Sequence, residues 1–152
     1  MKFPEVIGSN LEFREFKLPY GFEAKHNIVI VPFHRSHQAL VDQWAPYLSK
    51  LVSKFPDLEF YEIPTLSKGY KLMRFMIDGG MRAGIPNLKT RQRTITLYIN
   101  KKDFKKQLNI QTEKTISLFL VNKNGEILWR EQGGFTNQKA EELKKILFEL
   151  NA

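Results

Sequence analysis

The chain has 152 residues, a 42% apolar content and a net charge of +8, with 24 basic and 16 acidic side chains and no cysteine. Its length fits one domain over residues 1–152, with enough core to fold without staples. The missing cysteine excludes disulfides, thiolate nucleophiles and cysteine-based metal sites, and no apolar run reaches the roughly 18 residues that cross a bilayer.

Residues 3 to 18 read as an opening β-element, with Gly8-Ser9-Asn10 as its turn and Pro19-Tyr20-Gly21 as its end. The β-branched run Asn27-Ile28-Val29-Ile30-Val31-Pro32-Phe33 is the pattern of a strand buried on both faces. Leu40, Val41, Trp44, Leu48, Leu51, Val52 and Phe55 fall on one helical face, with Ser36 as the expected N-cap and Pro46 as an expected kink. Leu58 to Ile63 reads as the next strand. From Tyr70 to Met81 the apolar positions 72, 73, 76, 77 and 81 suggest a helix, interrupted at Gly79-Gly80 and stopped by Gly84 and Pro86.

Thr94 to Ile99 is a further strand, and Lys101 to Leu108 a short basic helix. Residues 116–122 and 126–132 flank Lys123-Asn124-Gly125, a strong hairpin signal. A closing helix starts at an expected Thr136 cap, with Ala140, Leu143, Ile146, Leu147 and Leu150 on its apolar face. A parallel β-α-β opening and a terminal hairpin capped by a helix give the thioredoxin order. The fold class is therefore α/β: a three-layer arrangement, a central mixed sheet with helices on both faces, and an N-terminal β-hairpin extension.

The positive charge is concentrated. Between Lys68 and Lys106 there are eleven basic residues and two acids, Asp78 and Asp103; the rest of the chain has thirteen basic and fourteen acidic residues. Such a field attracts acidic partners, phosphates or anionic membrane surfaces, and the alternative is a solvated, solubilising face. Lys89-Thr90-Arg91-Gln92-Arg93 reads as an exposed basic loop, and Met81 to Pro86 as a partner-facing turn or simply a helix stop. No aromatic interleaves the run 89–93 and no nucleic-acid motif accompanies it, so nucleic acid is not an expected partner.

In thioredoxin-like proteins the first central strand runs into a kinked helix whose N-terminus carries the redox thiol. Here that junction is Pro32-Phe33-His34-Arg35-Ser36-His37-Gln38-Ala39. It resembles the peroxiredoxin pattern of proline, three residues, serine or threonine, two residues, cysteine. Pro32 and Ser36 match, and Ala39 stands at the cysteine. The cis-proline common in thioredoxins has no counterpart; its aligned place is near Lys114-Thr115. The peroxiredoxin active-site arginine is not evident there either.

A resemblance over nearly the whole chain comes from Phe3-Pro4, Asn10-Leu11, Leu18-Pro19, Trp44-Ala45-Pro46, Tyr61-Glu62-Ile63, Met81 to Pro86 and Gly125-Glu126-Ile127-Leu128-Trp129-Arg130. These resemble the mitochondrial ATP-synthase assembly factor family with a thioredoxin-like fold. The resemblance implies a non-catalytic, chaperone-type protein whose client is a protein, acidic or membrane-associated. With no cysteine and Ala39 at the expected thiol position, no thiol peroxidase or disulfide oxidoreductase activity is expected, and no cofactor. The start Met1 to Glu5 has neither a secretion signal nor an Arg-rich presequence, so the expected location is cytoplasmic, or the mitochondrial matrix if a presequence has been removed.

The candidate partner surface comprises His34, Arg35, Ser36, His37, Trp44 and Lys114-Thr115, with Arg82, Arg91 and Arg93 as the basic contribution. Trp44 and Trp129 also suit core positions. A rival reading is an enzyme using the former redox pocket through a metal on His34 and His37. Only His26 remains as a further histidine, whereas a metal needs three or four ligands.

Overall fold

The computed structural model describes residues 1–152. Strand β3 (His26–Val31) is buried at every position. It pairs in parallel with β4 (Leu58–Glu62) and antiparallel with β7 (Ser117–Asn122), and β7 continues antiparallel to β8 (Ile127–Gln132). Val29, Val31, Tyr61, Ile63, Phe119 and Val121 meet Phe3, Phe22 and Phe104 on one side of this sheet. Ile28, Ile30, Phe60, Leu118 and Leu120 meet Trp44, Leu48, Leu143 and Leu147 on the other. The period-2 alternation of strand side chains thus builds two cores and three layers. Helices α1 (Gln38–Lys54) and α5 (Asn137–Leu150) cover one face, and α4 (Lys101–Gln107) contributes to the other.

A second sheet has the order β2-β1-β6-β5, with β1 at Val6–Asn10, β2 at Glu15–Leu18, β5 at Thr65–Ser67 and β6 at Ile95–Ile99. The expected central mixed sheet is therefore two four-stranded sheets that share one run of chain. The Ile63 and Thr65 N–H groups donate to Ile30 and Pro32 of the first sheet at 2.7 and 3.0 Å. Pro64, between them, accepts the Leu97 N–H at 2.9 Å.

Several expectations need correction. Gly8-Ser9-Asn10 is not a turn but part of β1, where a Cβ on Gly8 would lie 2.7 Å from both Leu97 and the Thr96 carbonyl. The turn falls at 11–14, closed by Asn10 Oδ1 accepting the N–H groups of Glu12 and Arg14. Helix α2 (Arg74–Gly84) runs through Gly79-Gly80 before stopping at Gly84. A 3-10 turn over 68–73 leads into α2. Strand β5 and helix α3 (Leu88–Arg93) were not foreseen.

Ser36 does not cap α1. Residues 35–37 form a 3-10 turn, the cap position falls on His37, and that side chain points back to Phe33. Thr136 does cap α5, accepting the Lys139 N–H. Gly125, at φ +84, supplies the left-handed residue of the β7-β8 hairpin.

Candidate functional site

Strand β3 delivers the chain to the start of α1 through the buried Pro32 and Phe33. His34, Arg35, Ser36 and Ala39 then stand exposed. Ala39 occupies the first turn of α1 and presents only a methyl group. His37 is 4% exposed. Its Nδ1 accepts the Phe33 N–H at 3.0 Å, and its ring meets that of His34 edge-on, with centroids 5.0 Å apart. Burial, aided by the His34 charge, holds the His37 imidazole below the ordinary histidine range; the Lys114 backbone and Glu113 pull the other way.

Glu113 joins the loop before β7 to this helix start. It accepts from Lys101 Nζ at 2.7 Å and from Lys105 Nζ, and lies 4.0 Å from His34 Nε2. Burial raises the Glu113 carboxyl, but hydrogen bonds and charge from the two lysines outweigh it, and the net direction is down. The fold thus brings together His34, His37 and the Glu113–Thr115 loop. Thr115 is half-buried.

Beneath α1, Glu62 ends β4 at 7% exposure. Burial first, and the charge of Asp42 second, push its carboxyl up to about 7.

Trp44 is removed from the partner surface: it is fully buried, donates through Nε1 to the Gly133 carbonyl at 3.0 Å, and packs edge-on against Phe135. The basic run 89–93 is likewise not an exposed loop. It lies within α3, capped by Asn87 accepting the Thr90 N–H. Arg91 binds Glu12 at 2.8 Å and the carbonyls of Ile85 and Pro86, each at 2.8 Å, which ties down the chain as it leaves α2. Arg93 reaches Glu59 at 3.4 Å and stacks 3.9 Å above the Phe60 ring. Arg82 is more open and pairs with Glu12 at 3.2 Å. Lys101 and Lys105 are held by Glu113, so acids from outside the basic segment neutralise part of its field.

The two-histidine metal reading gains no support. The His37 Nδ1 is already engaged by the Phe33 N–H. His26 sits at the opposite end of β3. No group of three His, Asp or Glu side chains is disposed to hold a metal ion.

The sequence matches the family described as ATP10 protein over residues 1–150. The chain belongs to the ATP10 protein family. The family is one of ATP-synthase assembly, and assembly implies a protein client. This ATP10 chain is also similar in fold to solved thioredoxin-like structures.

The thioredoxin domain of a thiol-disulfide oxidoreductase from Bacteroides vulgatus is 18% identical, with a TM-score of 0.63 over 97% of this chain and 96% of that one. BsSco, a member of the Sco family of cytochrome c oxidase assembly proteins, is 13% identical, with a TM-score of 0.65 over 97% and 92%. A thiol:disulfide interchange protein DsbE from Chlorobium tepidum is 14% identical, with a TM-score of 0.58 over 97% and 94%. At such identities the likeness is one of fold. No match emerges among curated protein sequences. No helix of the chain is long and apolar enough to cross a membrane.

Sequence reasoning missed Glu113 and the polar anchor of α2. Asp78 is 2% exposed and accepts from Tyr98 at 2.6 Å and from Thr96 at 3.1 Å. Burial first, then the bond to Asp78, push the Tyr98 hydroxyl up, keeping it a donor. One signal was available: Asp78 is the sole acid among residues 63–102 and interrupts an apolar helical pattern.

Proposed function

We propose that this chain is a non-catalytic assembly factor of ATP synthase, one that holds a protein client without thiol chemistry. The observation that carries the reading is Ala39: within an assembly-factor family, the helix tip that bears sulfur in redox relatives bears a methyl group. A methyl group neither attacks a peroxide nor forms a mixed disulfide. On this reading the client lies across His34, Arg35 and Ser36 and the neighbouring Thr115, while His37 and Glu113 hold that surface in shape. Arg82 extends the basic contribution; Arg91 and Arg93 support it from their ion pairs. The protein then works where ATP synthase is assembled, in mitochondria as the family implies.

The test is assembly in cells lacking the chain, read as intact ATP synthase on a native gel. Loss of the complex is expected, with full rescue by Ala39→Ser. Arg35→Glu combined with Ser36→Asp should rescue poorly while keeping the wild-type circular dichroism spectrum. Normal assembly without the chain would overturn the proposal, as would hydroperoxide or disulfide turnover by the purified protein.

A further inference from the structure

Helix α2 is mounted the wrong way round for a core helix. Its one fully buried side chain is Asp78, fastened to Thr96 and Tyr98 of β6, with Ile77 and Met81 half-buried beside it. The large apolar side chains around it face out: Leu72 is 98% exposed, Met76 73% and Phe75 70%, with Tyr70 and Met73 about half exposed. Five of the chain's twelve exposed large apolar residues thus fall within seven positions. Elsewhere they are scattered singly, as on any soluble surface. A concentration of this kind marks an interaction face.

The unpaired charge along this stretch is of one sign; the acid that meets the far end of α2, Glu12, is taken up by Arg82 and Arg91. Lys68 and Lys71 form no ion pair, and Arg74 lies 4.8 Å over the Phe75 ring. No acid other than the buried Asp78 occurs from Ile63 to Lys102. Lysine and arginine interleaved with phenylalanine, leucine and tyrosine on a short exposed helical segment match the boundary between headgroups and acyl chains. Cations meet lipid phosphates there, while the apolar side chains enter the acyl edge. An acidic protein surface would satisfy the lysines but leave Leu72, Phe75 and Met76 against polar groups.

We infer that the segment from Lys68 to Met76 is a docking face for an anionic lipid bilayer, entered by Leu72, Phe75 and Met76 and held by Lys68, Lys71 and Arg74. The inference uses neither the Ala39 site nor the assembly-factor reading, and the two stand or fall separately. Helix α2 is ~16 Å long at 1.5 Å per residue, so it lies in the interface rather than spanning it.

Flotation of the full chain with vesicles tests it, using phosphatidylcholine alone or with one-third phosphatidylglycerol. Partitioning onto the anionic vesicles should exceed that onto neutral ones at least tenfold and fall steeply in 0.5 M salt. Leu72→Asp with Phe75→Asp, or Lys68→Glu with Lys71→Glu, should each reduce it at least tenfold. All these side chains are exposed, so the variants should fold, with the buried Trp44 and Trp129 reporting an unchanged near-ultraviolet spectrum. Phe75→Trp should shift its fluorescence to the blue on anionic vesicles. Failure to bind anionic vesicles would overturn the inference, as would binding insensitive to these substitutions. A chain that is dimeric in sedimentation, becomes monomeric with Leu72→Asp and Phe75→Asp, and ignores vesicles would assign the face to a second copy and equally overturn it.

Discussion

His37 Nδ1 accepts the backbone N–H of Phe33 at 3.0 Å, so an imidazole ties the end of β3 to the start of α1. Replacing His37 by Ala leaves that N–H without its acceptor in a buried position. The expected cost is about 1–3 kcal/mol in urea unfolding. An unchanged midpoint would mean that water substitutes fully. The lowered His37 value also sets a pH dependence. The unfolded chain takes up a proton near pH 6.5, before the folded one does, so this contribution is complete above that pH and is lost as pH falls through the lower folded value. His26, lowered first by burial and then by the Lys25 charge, adds with the same sign. The loss of stability on acidification should therefore be shallower in His37→Ala, but not absent.

Glu62 works in the opposite sense. Its carboxyl, at about 7 in the fold, holds a proton that the unfolded chain releases near pH 4.5. Stability from this group is present below pH 4.5 and disappears as pH rises through 7. Glu62→Gln should stabilise the protein by about 2 kcal/mol at pH 8 and leave it nearly unchanged at pH 4.5. Equal unfolding midpoints for the two proteins at pH 8 would contradict this.

Asp78 is the attachment point of α2. Asp78→Ala strands the Tyr98 and Thr96 hydroxyls in a buried site, at an expected 1–3 kcal/mol. Hydrogen exchange should localise the effect: amides of Arg74–Gly84 should lose protection, while β3 and β7 keep theirs. Asp78→Asn, which retains an acceptor, should be milder.

Gly125 stands at φ +84, and a Cβ there would lie 2.7 Å from Pro19 Cγ. Gly125→Ala combines a left-handed backbone with a close contact. A destabilisation of about 1–2 kcal/mol is expected in thermal unfolding. Gly69, with nothing near its Cβ position, serves as the control: Gly69→Ala should leave the melting temperature unchanged.

The frame of the molecule was legible because its signals are local and repeated. The β-branched run at 27–31, the helical spacing from Leu40 to Leu51, the Asn-Gly hairpin and the Thr136 cap each follow from short-range chemistry. What escaped was long-range or inverted. Thr65–Ser67 is too short to carry a pattern. The run 89–93 looked like solvated charge because its partners, Glu12 and Glu59, are far away in sequence. Helix 74–84 carries an amphipathic pattern, but its inward anchor is polar, so periodicity suggests a helix yet points it the wrong way. At the helix start, Glu113 carries no local pattern, because its role depends on two lysines brought over from α4. Trp44 was undecided in sequence because a tryptophan suits a core and a binding surface equally well.

The ten residues from Leu58 to Ser67 belong to both sheets through the bonds around Ile63, Pro64 and Thr65. Neither half has a free border there along which it could peel away alone. Pulling this stretch loose strips partners from His26–Val31 and Ile95–Ile99 together, so melting should be all-or-none across the seam. The slowest-exchanging amides of the two strands should then share one opening free energy.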